Sequence, residues 1–126
     1  MIEHLDKIFP NQPPEVEIGN KEYKRDLLSQ QPKKIFLHKR ATQMKYRLLE
    51  GEGKAIYILG IEDCGRANGI SKTDLELTIE NIKQIVDIIK AKITKIRIYN
   101  SNTNNKIATV RILLEDYADN YGIDHF

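Results

Sequence analysis

Residues 42–69 read TQMKYRLLEGEGKAIYILGIEDCGRANG, and this stretch decides the fold. Thr42 to Leu49 repeats apolar residues at helical spacing, whereas Ala55 to Ile61 is an almost unbroken apolar run of strand length. Gly51 and Gly53 punctuate the two, and Asp63-Cys64-Gly65-Arg66 is a turn. The stretch therefore predicts the end of a helix, two turns and a core hairpin. Glu62 and Asp63 fall where the apolar strand meets the turn, a loop position from which a rigid scaffold can present side chains to a ligand.

Working outward, the helix extends back to Ile35 and ends at Glu50, with Leu37, Ala41, Met44 and Leu48 as its buried stripe and Gly51 as its stop. Lys39, Gln43 and Tyr46 then point away from the core, and Arg40 and Arg47 flank the stripe. Upstream, Ile18-Gly19-Asn20 signals a turn before a first strand at Glu22–Leu28, whose alternation separates Glu22, Lys24 and Asp26 from Tyr23 and Leu27. Downstream, Arg66–Ile70 is a short third strand. Ser71 with Asp74 resembles a capping box opening a helix over Lys72–Lys90, with Leu75, Ile79, Ile82, Val86 and Ile89 as its stripe. Ile93–Tyr99 alternates with a slip in phase near Thr94, and Ile107–Leu114 is a fifth strand after a polar Asn-rich turn. The expected fold is α+β, in the order β-α-β-β-α-β-β, with one mostly antiparallel sheet and two helices on one face. Residues 1–14, with three prolines, read as an extended N-terminal arm, 15–115 as a single domain and 116–126 as a C-terminal tail.

A chain of 126 residues is one domain, able to bury roughly two thirds of its unfolded surface. Its single cysteine excludes an internal disulfide and a thiolate metal cluster, and points to a reducing compartment. No apolar run approaches the roughly 20 residues that cross a bilayer, and MIEHLDKIF is too acidic and too short in its apolar part for a signal peptide. A cytoplasmic protein without a membrane partner is expected. The helices cover one sheet face and Lys95 and Arg97 make the other compatible with water, so a monomer is expected in isolation.

The net charge is only +2, but its distribution is uneven. Between Lys33 and Leu49 stand six fixed positive charges, Lys33, Lys34, Lys39, Arg40, Lys45 and Arg47, without one acid. A merely solvated helix mixes signs at i, i+4. With His38 and Tyr46 interleaved, this block can follow a phosphate backbone while an aromatic ring stacks on a base, which makes RNA the candidate partner. Cys64 has no His or Asn at catalytic spacing, His4, His38 and His125 do not cluster, and Gly51-x-Gly53 runs from helix to strand, the reverse of a dinucleotide loop.

Two blocks carry a resemblance. TQMKxRLxEGxGxAxYxxGxED, with EVExGNxEYKxxL at Glu15–Leu27, is similar to the N-terminal region of the GTP-binding protein 1 and GTP-binding protein 2 group of translational GTPases, over roughly Pro13 to Ile98. Departures are Ile18, Lys21 and Cys64, and none removes a glycine of the turns. In that group the region precedes a G domain, whose phosphate loop would read GxxxxGK[ST]. No such loop occurs here, so the resemblance implies a relation to ribosome- and tRNA-associated factors without GTPase activity, as a free-standing domain or one cut before its G domain. It implies ribosome, rRNA or tRNA as partner and no cofactor. The expected function is a translation-associated module, at a tRNA-accessible site, that holds the ribosome inactive.

More distantly, the spacing of Glu17, Glu22 and Lys24 and the acids after the apolar strand resemble the Schlafen-type core, an RNA endonuclease site. This alternative makes Glu17, Glu22 and either Glu62 or Asp63 the catalytic acids, with Lys24 beside them, and Glu17, Glu22 and Asp63 ligands of Mg or Mn. Three converging carboxylates would need a hard cation to stay ionised. That cation would orient a water at the scissile phosphate.

Overall fold

The computed structural model describes residues 2–115 and Tyr117 of the chain, so most of the expected tail lies outside the described residues. The elements are β1 (Ile2–Ile8), β2 (Lys21–Lys24), α1 (Lys33–Glu50), β3 (Lys54–Leu59), α2 (Lys72–Ile88), β4 (Lys92–Asn100) and β5 (Lys106–Leu113). The α+β class holds: among the described residues α1 and α2 pack on one five-stranded sheet ordered β1-β4-β5-β3-β2. The inner pairs β4/β5 and β5/β3 are antiparallel, and the outer strands β1 and β2 each run parallel to their neighbour.

Two strands differ from expectation. Residues 66–70 form no strand and contribute only a bridge between Ile70 and Lys106. The fifth strand is β1, so the N-terminal segment is extended as a sheet edge paired with β4. The phase slip near Thr94 is a register irregularity between Ile93 and Lys95.

Both helices cover one sheet face. Met44 and Leu48 of α1 and Leu75, Ile79, Ile82 and Val86 of α2 pack against Tyr57, Leu59, Ile96, Val110 and Ile112. Gly51 terminates α1 for want of space and not for its φ of −101°. A Cβ there would overlap the Lys54 carbonyl oxygen and the Asn20 side chain. Ser71 caps α2 as its sequence predicts, accepting from the Asp74 N–H at 3.1 Å.

The opposite sheet face carries a second cluster of Tyr23, Ile58, Ile61, Ala67 and Ile107. Residues 9–15 strap it down. Phe9 meets Tyr99 edge to face at 5.0 Å, Gln12 N donates to Gly65 O at 2.8 Å and Glu15 N donates to Asp63 O at 2.7 Å. The Ala67 N–H donates to Asn11 Oδ1 at 2.8 Å, and Tyr23 Oη donates to Pro13 O at 2.9 Å. Because β3 is buried on both faces, its sequence is a continuous apolar run. Nearer β1 the same face is polar, where Glu3 pairs with Arg97 at 3.1 Å and Lys95 at 3.4 Å. The Arg97 hydrogen bond, then Lys95, holds the Glu3 carboxyl below its ordinary value.

Candidate nucleic-acid interface

The helix α1 divides the basic block in two. Lys33, Lys34, His38, Lys39, Lys45 and Tyr46 are exposed, whereas Arg40 is half-buried and Arg47 is buried. At about 100° per residue, Lys34, His38, Lys39, Lys45 and Tyr46 fall on one outward arc centred on exposed Thr42. Lys34 and Lys45 are thereby about 16 Å apart along the axis. Tyr46 is 44% exposed, yet its hydroxyl is held by the Glu17 carbonyl at 3.2 Å. The Arg47 guanidinium lies 5.7 Å from the centre of its ring, so the ring is oriented and half-exposed.

The inward residues of the block do different work. The Arg40 guanidinium lies 5.6 Å from the centre of the Phe36 ring. Arg40 Nε and Gln43 Oε1 are buried without a hydrogen-bond partner, so Gln43 does not point away from the core as its spacing had predicted. Arg47 is a clasp. Its Nε donates to Glu22 Oε1 at 2.8 Å, its Nη1 donates to the carbonyls of Gly19 at 2.9 Å and Glu17 at 3.2 Å, and its Nη2 lies 3.9 Å from Glu15. Arg47 is therefore turned away from the outward arc of α1.

Around the clasp the two sequence blocks meet. Gly19 N donates to Glu50 Oε1 at 3.1 Å, and Asn20 Nδ2 donates to the Lys54 carbonyl at 3.0 Å. Ile56 N donates to Asn20 O at 2.9 Å. The EVEIGN and KYRLLEGEGK segments thus recognise each other.

The acidic constellation expected of a nuclease does not form. Among the described residues no three His, Cys, Asp or Glu side chains come together in a way that could hold a metal ion. Glu22 is 3% exposed and committed to Arg47, with Lys24 at 3.5 Å. Glu17 is exposed, Asp63 is exposed, and Glu62 lies 3.9 Å from Arg25. A buried carboxylate already matched by a guanidinium has no charge left for a cation.

Glu15, which the sequence did not single out, is the acid placed among the others. Its carboxylate accepts from the Tyr23 N–H. Burial chiefly, opposed by that hydrogen bond and assisted by Glu22 and Asp63, raises its pKa. The folded chain therefore holds this proton more tightly than the unfolded chain. The Glu15 contribution to stability is greatest below the ordinary carboxylate range and declines as pH rises through the raised value. Glu15→Gln keeps an acceptor for Tyr23 and removes the titration. The stability of this variant relative to the native chain, from urea midpoints, should rise with pH across that range; a constant or falling difference would refute the assignment.

Fold and site together describe an α+β module whose two signature blocks are clasped around a buried Arg–Glu pair beneath a basic helix. The chain is similar to GTP-binding protein 2 of Mus musculus and of Homo sapiens, 35% identical to each over 107 residues that make up 82% of this chain. It spans 17% of the length of these curated relatives. No family model matches the chain, and no solved structure matches it. The resemblance first visible in the two blocks is thus to a part of such a protein without its G domain. No helix among the described residues is long and apolar enough to cross a membrane.

Proposed function

We propose that this chain is an RNA-binding, translation-associated module that docks on the ribosome, at a site accessible to tRNA, and holds it inactive in the cytoplasm. The observation that carries the reading is the outward arc of α1, where Lys34, His38, Lys39 and Lys45 stand exposed around a fixed Tyr46. Lysines at this spacing suit successive phosphates, and a half-exposed ring held by its hydroxyl can stack on a base without losing side-chain freedom. The similarity to GTP-binding protein 2 supports a place in translation, and the chain itself has no GxxxxGK[ST] phosphate loop.

Co-sedimentation with ribosomes tests this. Pelleting is expected at low salt and should fall steeply as salt is raised, because phosphate contacts release counterions. Lys34→Glu combined with Lys39→Glu should weaken it about tenfold or more, with stability changed by less than about 0.5 kcal/mol, as befits exposed positions. A chain that stays in the supernatant at low salt would refute ribosome binding. Unchanged pelleting of the double variant would remove α1 from the interface.

A further inference from the structure

We propose a second docking site, independent of the basic helix: the groove between α2 and the edge strand β1 receives an amphipathic helix of a protein partner. α1 packs on β3, and α2 packs on β4 and β5. Among the described residues no helix packs over β1, the next strand outward and the overhang of the sheet. Strand alternation turns Glu3 toward Arg97 on the far face, so Ile2 and His4 face the helix side. A cavity of about 590 Å³ results, with Ile2, Leu75, Ile79 and Ile98 among its lining residues. A second cavity of about 310 Å³ shares His4, Ile98 and Lys106 with it and prolongs the groove along β1.

The charges on the wall define the occupant. Lys72, Glu76, Glu80 and Lys83 stand exposed along α2, two cations at the ends and two acids between them, and the sheet side adds His4 and Lys106, whose Nζ donates to Asn100 Oδ1 at 2.7 Å. The acids would repel an RNA backbone or an anionic lipid surface in the middle of the groove. A strand added to the outer edge of β1 would leave the apolar lining uncovered. A helix with an apolar stripe, acidic near both ends and basic at its centre, matches both the lining and the wall. Lys72 and Lys83 are about 16 Å apart on the helix axis, so the partner helix needs at least about three turns.

The probe is a designed 18-residue peptide of about five turns with that pattern, titrated into the untagged full chain and followed by methyl and amide NMR. Shifts should concentrate at Ile2, Leu75, Ile79 and Ile98. Ile2→Asp should weaken binding about tenfold. A peptide with every flanking charge reversed should bind the native chain about tenfold more weakly and regain affinity for the Lys72→Glu, Lys83→Glu variant. No shift with up to about 1 mM peptide, equal affinity for both peptides, or shifts confined to α1 would overturn the proposal. Concentration-dependent Ile2 shifts without peptide would instead assign the groove to a second copy, and shifts caused by an RNA oligonucleotide would assign it to nucleic acid. Either would equally overturn the proposal. None of these outcomes bears on ribosome pelleting.

Discussion

Arg47→Met is expected to lower the unfolding free energy by about 3–5 kcal/mol in urea denaturation, among the largest effects of a single change in this chain. Methionine fills a similar volume, so the loss is not a cavity effect. It comes from Glu22, left at 3% exposure with Lys24 at 3.5 Å as its remaining ion partner, and from the Gly19 and Glu17 carbonyls, which lose their shared donor. Arg47→Lys should rescue only part of this, because an ammonium cannot present the guanidinium fork to a carboxylate and two carbonyls at once. Arg47→Met with Glu22→Leu should recover stability relative to Arg47→Met alone, since no unpaired charge remains buried. A loss below about 1 kcal/mol for Arg47→Met would mean that water replaces the clasp.

Gly65→Ala is the second. Gly65 has a φ of +94° and its Cβ would overlap the Gln12 carbonyl, where residues 9–15 cross the second sheet face. Alanine should cost about 3 kcal/mol or more, combining left-handed backbone strain with displacement of the strap. Gly19→Ala is the control. It has the same φ of +94° with nothing within 4 Å of the added carbon, so it carries the backbone strain alone. Equal urea midpoints for the two variants would show that the strap is not held at Gly65.

Much of the fold is legible in the sequence because its signals are local. The α1 stripe, the Ser71 cap and the apolar run of β3 each depend on residues within a few positions of one another. β1 was not legible because its register is set by partners more than ninety positions away, Ile2 against Ile96 and His4 against Ile98. Residues 66–70 misled because a short segment that follows the Gly65 turn and ends in Ile70 looks like the returning strand of a hairpin, although Ala67 and Ile70 are buried in a loop that makes a single bridge. The site was half legible. The exposed lysines of α1 follow from helical phase, but Arg47, which flanks the buried stripe, was counted with the basic block because of its charge. Its position three residues after Met44 and next to Leu48 places it on the inward side. That phase was the available signal. Glu22 was misassigned for the same reason: a carboxylate on a strand looks free until a guanidinium from another element meets it.

The parallel pairing of β1 with β4 also has a consequence for the order in which the molecule assembles. α1, α2 and the antiparallel β4/β5 hairpin are closed by short loops, whereas joining Ile2 to Ile96 closes a loop of most of the chain. The entropy of that closure is lost before any ladder hydrogen bond offsets it, so β1 is expected to dock late on a sheet formed from the other four strands. Until then β4 is the outer edge and Ile98 faces water. On a ribosome synthesising this chain, the β1 wall of the groove is therefore completed only after β4 has emerged.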